Sequence, residues 1–274
     1  MRKAVGIMAV LMLMAGCSSS APETTPEITQ DVLTVGMECN YAPFNWSQAE
    51  ATEGAVAISE VDYCDGYDVA MAQNLAGQLG MTLVVKAIAW EGLIPALNNG
   101  EIDLIIAGMT QTEERLEAVN FTTPYYESQM VMIVRASDTD LVTATSIQNF
   151  TGKKVLGQIN TLYDDIIEQI VGVNHATPLA TYPRMVLSLQ QGEVDALTAE
   201  LPVAQGVVAA NPDLTIVTFE DGMGFVADTT VSIAVAKDNT VLLDRVQVAL
   251  DNISEETRVQ LMQDATSRQP AIGE

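Results

Sequence analysis

Arg115 carries the most pointed chemistry in this chain of 274 residues. It falls in the opening turn of an expected helix, just after Thr110-Gln111-Thr112-Glu113, whose Thr-x-x-Glu spacing matches a capping box. A cation there opposes the helix dipole, which favours anions at that end. A guanidinium presents a planar fork suited to a carboxylate. Arg115 therefore either takes an anionic ligand group or pairs with Glu113 or Glu114. Asn160-Thr161-Leu162 precede a second helix, whose free N–H groups attract carboxylates, unless Asp164 and Asp165 already complement that end. Glu38 and Glu200 follow strands and Asp68 begins a helix, so each is a candidate ligand-binding carboxylate. Glu200 is placed either to accept a ligand ammonium or to serve as an N-cap-like acid. Trp90, Tyr41 and Phe44 offer aromatic faces that sandwich a ligand side chain or simply fill core. No bond-making set accompanies them: the chain has no Gly-x-Ser-x-Gly elbow and no phosphate loop. Its single histidine, His175, reads as a surface loop residue rather than a metal ligand. Binding, not catalysis, is the chemistry these residues share.

The elements that must hold them are announced by a repeat. LNNGEIDLI at Leu97–Ile105 returns as LQQGEVDAL at Leu189–Leu197. Each copy runs from a helix end through a Gly turn and an acid into a short strand, Ile102–Ile105 and Val194–Leu197. Such a repeat predicts two lobes of similar build, and ligands in open α/β sheets sit at the carboxyl ends of strands. The alternative is two unrelated hairpins that share common turn chemistry. Around the repeat, Leu33–Gly36, Leu83–Val85, Met130–Val134, Lys154–Leu156 and Val231–Val235 read as strands, and Gly54–Val61 as a small hairpin insertion. Helices are expected from Tyr67 to a stop at Gly80, from Trp90 to Leu97, from near Thr112, up to Ile170, over Tyr182–Gln190, after Pro202 and over Val241–Ile253. Strand–helix alternation of this kind predicts a mostly parallel sheet. Asp138–Asp140 suits a crossing between lobes, and the polar tail after Ser254 reads as a short helix that frays.

The N-terminus stands apart. Arg2 and Lys3 precede the apolar run Ala4–Ala15, which is too short to span a bilayer and reads as a secretory signal. Met14-Ala15-Gly16-Cys17 resembles the lipobox of bacterial lipoproteins, in which the cysteine is lipidated; Met14 stands where that motif usually has Leu. The following residues, rich in Ser, Thr, Pro and Glu, form a tether. Without Arg2 and Lys3 the chain keeps ten basic residues against 36 acidic ones, a balance of −26. A body this acidic repels phosphate backbones, which excludes nucleic acid as a partner. If Cys17 is lipidated, Cys39 and Cys64 are the remaining pair, and export permits a disulfide, although both could stay thiols.

An ordered series of segments completes the reading: VGMECNYAPFNW (Val35–Trp46), GYDVAMAQNLA (Gly66–Ala76), WEGLIPALNNGEIDLIIAGMTQTEER (Trp90–Arg115), FTTPYY (Phe121–Tyr126) and GEVDALTAELPVA (Gly192–Ala204). With these, residues 31–253 resemble the amino-acid-binding proteins of ABC importers, the family-three solute receptors. The resemblance implies an α/β fold of the type II periplasmic-binding-protein plan: two lobes, each a mixed sheet flanked by helices, joined by a two-strand hinge near Tyr126–Gln129 and Asp228–Thr230. Residues 1–17 would be the lipoprotein signal peptide, 18–31 the tether, 32–128 with 228–274 lobe one, and 129–227 lobe two. Carried over by residue, Arg115 forks the ligand α-carboxylate, helped by the main chain of Thr110 and Leu162 and by Thr161. Gly108 offers its carbonyl, and Glu200 its carboxylate, to the α-ammonium. Trp90 and Tyr41 line the side-chain pocket, and Glu38 meets a distal cation. Glu200 stands where members usually carry Asp, and Ala107 where a hydroxyl residue is common. The implied protein is an extracytoplasmic monomer anchored to the membrane through lipid on Cys17. It binds a free amino acid, basic or polar with lysine or arginine favoured, and delivers it to an ABC permease and its ATPase, with no cofactor and no metal. Two other readings share the fold: a cyclohexadienyl or arogenate-type dehydratase using Glu200 or Glu38 as its acid, and a ligand-sensing module.

Overall fold

The computed structural model describes residues 31–270, so the signal, most of the tether and Cys17 lie outside the described residues. Two five-stranded sheets follow one plan. The first runs, in spatial order, Thr82–Ala87, Val32–Met37, Leu104–Ile105, Ala234–Ala236, Val119–Phe121. The second runs Asn174–His175, Lys154–Leu156, Ala196–Glu200, Met130–Arg135, Leu214–Val217. In each the first three strands are parallel and the last two join antiparallel.

The sequence repeat is the clip at the centre of both sheets. Gly100 and Gly192 end their helices in the left-handed region, at φ 71° and 75°, where a Cβ would be costly. Asp103 then accepts the Thr34 N–H at 2.8 Å, and Asp195 accepts the Lys154 N–H at 2.7 Å. Because these acids clip the neighbouring strand, the strands proper begin two residues later than expected, at Leu104 and Ala196. The second also runs on to Glu200, which pairs with Met130.

The chain crosses between sheets where Tyr126–Glu127 pairs antiparallel with Thr230–Val231. Asp138–Asp140 do not make that crossing. Asp138 instead caps the turn of helix Thr139–Val142, accepting the Leu141 N–H at 3.4 Å. The expected strand Val231–Val235 is broken at Ser232-Ile233, because its first part belongs to the hinge and its second to the first sheet. Alternation along Met130–Arg135 sends Val131 and Ile133 into a core continuous with the first lobe, and Met132 and Val134 into a second core with Phe150 and Val155.

Three further expectations change. The N-cap of helix Glu113–Ala118 is Thr112, whose hydroxyl accepts the Arg115 N–H at 3.2 Å, so Thr110 and Glu113 form no capping box. The tail helix is neither short nor frayed: it runs fourteen residues, Glu255–Arg268, capped by Ser254. It is held by Met262 and Ala265 in the core, by Arg258 donating to the Pro124 carbonyl, and by an Arg268–Asp65 ion pair at 3.0 Å. His175 is not in a loop: it lies in strand Asn174–His175, each ring nitrogen 2.8 Å from a carboxylate, Asp164 or Glu168. Both contacts raise its pKa against the effect of burial. The expected hairpin Gly54–Val61 instead supplies one strand, Val56–Ala57, to a four-stranded sheet with Asn40–Tyr41, Asn45–Gln48 and Tyr63–Asp65, and a Cys39–Cys64 disulfide ties this sheet to the end of strand Val32–Met37.

Candidate ligand cleft between the lobes

The carboxyl ends of strands Val32–Met37 and Lys154–Leu156 face one another across a small chamber. Glu38, Tyr41, Trp90, Ala107 and Gly108 line it from one side, and Gln158, Thr161 and Tyr163 from the other, closed down to a cavity of about 10 Å³, the space of about one water molecule. Five of the sequence-derived candidates thus meet in one place: Glu38, Tyr41, Trp90, Gly108 and Thr161. Arg115 and Leu162 line the adjoining mouth of the cleft together with Trp90.

Arg115 does not pair with Glu113 or Glu114. Its guanidinium lies over the Trp90 ring at 5.1 Å, a cation–π placement. It donates to the Thr110 carbonyl at 2.8 Å and across the cleft to the Asn160 carbonyl at 3.2 Å. Burial is the main cause of its lowered pKa. Thr110 thus serves through its carbonyl, holding the fork in place. Thr161 donates its hydroxyl to the Gln158 carbonyl at 2.7 Å and makes no side-chain cap. The helix behind it, Leu162–Asp165, has four residues, with Asp164 and Asp165 in its only turn.

Glu38 forms the acidic wall. Its two oxygens accept from the Gln158 amide at 3.3 and 3.2 Å, and that amide is oriented by the Ala180 carbonyl at 3.0 Å. Burial pushes the Glu38 carboxyl up to about 7, against the Gln158 hydrogen bond. No side chain lining the chamber carries a positive charge to oppose it.

Glu200 and Asp68 stand behind the lining rather than in it. Glu200 Oε1 accepts from the Tyr41 hydroxyl at 2.9 Å and from the Tyr163 hydroxyl, while Oε2 is buried without a hydrogen bond. Ser128 draws the Glu200 carboxyl downward, yet its hydroxyl is also buried without a hydrogen bond of normal geometry. Burial outweighs all three hydroxyls and lifts Glu200 to about 7. Asp68 accepts from Tyr125 at 2.6 Å and from Asn45 at 2.7 Å, and Tyr125 in turn accepts the Gly108 N–H at 3.0 Å. Burial raises Asp68 to about 7 as well. Its place is to support the Gly108 turn, whose φ of 60° leaves the main chain against Tyr41 and Phe44. Phe44 stacks on Tyr41 with centroids 5.4 Å apart.

Sequence reading missed Gln158, Tyr163, Tyr125 and Ser128. Gln158 stands two residues after strand Lys154–Leu156, so the strand-end rule that found Glu38 would have reached it. Tyr163, Tyr125 and Ser128 carried no such signal. The arrangement as a whole offers a fork for an anion at its mouth and a bare carboxylate on its inner wall, between aromatic faces.

A family model described as "Bacterial extracellular solute-binding proteins, family 3" matches residues 33–265. A probable histidine-binding protein of Campylobacter jejuni is 32% identical over 186 residues; the match covers 66% of this chain and 65% of that relative, just under two thirds of its length. A putative ABC transporter arginine-binding protein 2 of Escherichia coli is 28% identical over 251 residues, covering 90% of this chain and 93% of the relative. Among solved structures, the amino acid ABC transporter substrate-binding protein AbpA of Streptococcus pneumoniae, bound to L-arginine, superposes with a TM-score of 0.75 at 26% identity. That match covers 89% of this chain and 97% of its partner in the comparison. The fold is the two-lobed type II plan.

Proposed function

The chain belongs to family 3 of the bacterial extracellular solute-binding proteins, and from that premise we propose that it is the receptor of an amino-acid ABC importer. It closes lobe one (residues 32–128 and 228–274) and lobe two (129–227) on a free amino acid and presents it to a permease and its ATPase. Signal peptide 1–17 and tether 18–31 would leave it outside the cytoplasm as a monomer, held to the membrane by lipid on Cys17, with Cys39–Cys64 oxidised. The receptor is not an enzyme.

One observation carries the reading: a buried carboxylate, Glu38, faces an aromatic-walled chamber with no cation to meet it, while Arg115 waits at the mouth. A zwitterion with a second cation fits both ends, since leaving a charge buried and unpaired is costly. Arg115 would take the α-carboxylate with Thr161 and the Leu162 N–H, Gly108 and Glu200 the α-ammonium, and Trp90 and Tyr41 the side chain. Glu200 would reach that ammonium only if Tyr41 or Tyr163 swung aside, and Asp68 would act through Gly108. Lysine and arginine are favoured on the strength of Glu38. Relatives named for arginine and histidine support a basic ligand.

Melting curves of residues 18–274 with each of the twenty amino acids test this. A ligand at a hundredfold over its Kd adds about 2.7 kcal/mol, a rise of several degrees at about 2–4 °C per kcal/mol. The expected outcome is a shift confined to basic amino acids. A shift with polar neutral ones alone discards the Glu38 role, and silence across all twenty discards the receptor.

A further inference from the structure

We infer that Asn160 is the residue that holds the lobes together, by carrying its main-chain carbonyl and its side-chain amide across the cleft onto three groups of the first lobe. Its carbonyl accepts from the Trp90 indole N–H at 3.0 Å and from Arg115 Nη2 at 3.2 Å. Its Nδ2 donates to Glu91 Oε1 at 2.9 Å. Trp90 and Glu91 open the 3-10 turn Trp90–Gly92, and Arg115 belongs to helix Glu113–Ala118, so one residue ties two separate elements. Among the other cross-cleft bonds, Tyr41 to Glu200 and Gln158 to Glu38 each join one residue to one residue.

The backbone explains why asparagine stands here. Among the described residues only Cys39 and Asn160 combine a side chain with positive φ, and Asn160 has φ 58°. Asparagine enters this left-handed region more readily than other side-chain-bearing residues. The turn Gly157–Thr161 thereby aims the Asn160 carbonyl at lobe one instead of along its own chain. There it meets the edges of the indole and the guanidinium that stack on one another at 5.1 Å. Opening the cleft breaks all three bonds at once. Asn160 therefore positions Arg115 and Trp90 and sets how much of the protein is closed before any ligand arrives. The assignment rests on the closing cleft proposed above but not on what fills it, because all three bonds run between protein groups.

The test uses 15N-labelled tryptophan in the ligand-free protein, with its radius of gyration from small-angle scattering. There are two indole signals; that of Trp46, bonded to Gln48 at 2.8 Å, is identified with Trp46→Phe. Asn160→Ala, which forces an unsuited side chain into the left-handed region, should cut the closed fraction about tenfold. The Trp90 signal then moves and the radius grows. Asn160→Gly keeps the backbone and the carbonyl and loses only the amide bond to Glu91, so it should restore most of the Trp90 signal; Glu91→Ala, which loses the same bond, should match it. A merely structural Asn160 would lower the melting temperature of Asn160→Ala yet leave the indole signal and the radius unchanged, which overturns the inference. So does Asn160→Gly moving the signal as far as Asn160→Ala. If Asn160→Ala does not fold, the glycine variant and Glu91→Ala decide: a Trp90 signal kept in both supports the carbonyl latch, and one lost in both overturns it.

Discussion

The proposed role of Glu38 would couple binding to pH through one buried carboxyl. With its carboxyl pushed to about 7 by burial, it is largely neutral at pH 5.5 and ionised at pH 8. A ligand bearing a distal cation needs the ionised form, so its binding expels a proton, and affinity for L-arginine should fall by up to about tenfold per pH unit below that value. Calorimetric titration from pH 5.5 to 8 checks this, and Glu38→Gln should flatten the slope; an unchanged slope in that variant removes Glu38 from the ligand site. The stability of the empty protein moves the other way. A folded-state pKa raised above the unfolded one adds stability that is full below the unfolded value near 4.5 and is lost as pH rises through about 7. Glu200 and Asp68 act with the same sign. The empty receptor should therefore melt higher at pH 5.5 than at pH 8, while its affinity is lower.

At the scale of elements, the six-residue helix Glu113–Ala118 is open to small change. So short a helix has little stability of its own, and its cap is also the bond that fixes the Arg115 main chain. Thr112→Ala should cost about 1 kcal/mol, seen as a fall of about 2–4 °C in melting temperature, and Thr112→Ser should recover most of it. If serine fails to rescue, the threonine methyl rather than the hydroxyl matters. Thr110 and Glu113 matched the capping pattern in sequence and the structure chose Thr112. Thr112 lacks the acid three residues on, where Arg115 stands, yet the turn from Gly108, with the Thr110 carbonyl taken by Arg115, leaves Thr112 as the cap.

The whole molecule explains a glycine that no local rule requires. Gly206 lies inside helix Leu201–Ala210 of lobe two, where glycine costs roughly 0.5–1 kcal/mol against alanine. A Cβ there would come within 2.3 Å of Gln269 Oε1, just past the C-terminal helix of lobe one. The tail thus crosses to the opposite lobe, and Gly206 makes room for it. Gly206→Ala should bring no gain in the intact chain but about 0.5–1 kcal/mol in a Gln269→Ala background. A double-mutant cycle by denaturant unfolding measures the difference; strict additivity would mean that the contact carries no energy.

Much of this was written in the sequence. The repeat with its clipping acids, the helix stops at Gly80 and Gly100, and the strand ends bearing Glu38 and Glu200 are local signals, since hydrophobic period and turn chemistry act over a few residues. They sufficed for the two-lobed plan and for most residues around the cleft. The length and docking of the tail helix after Ser254 were not legible, because only Met262 and Ala265 of its fourteen residues are buried and the apolar pattern is correspondingly faint. Nor was the carboxyl of Glu200 in its setting of tyrosines, the amide of Gln158 on Glu38, or the carbonyl of Asn160 under Arg115. Those pairs, Tyr41 standing for the tyrosines, lie 159, 120 and 45 residues apart in the chain. Burial and orientation of a polar group depend on what the other lobe brings to it, and that is decided only when the two sheets close on one another.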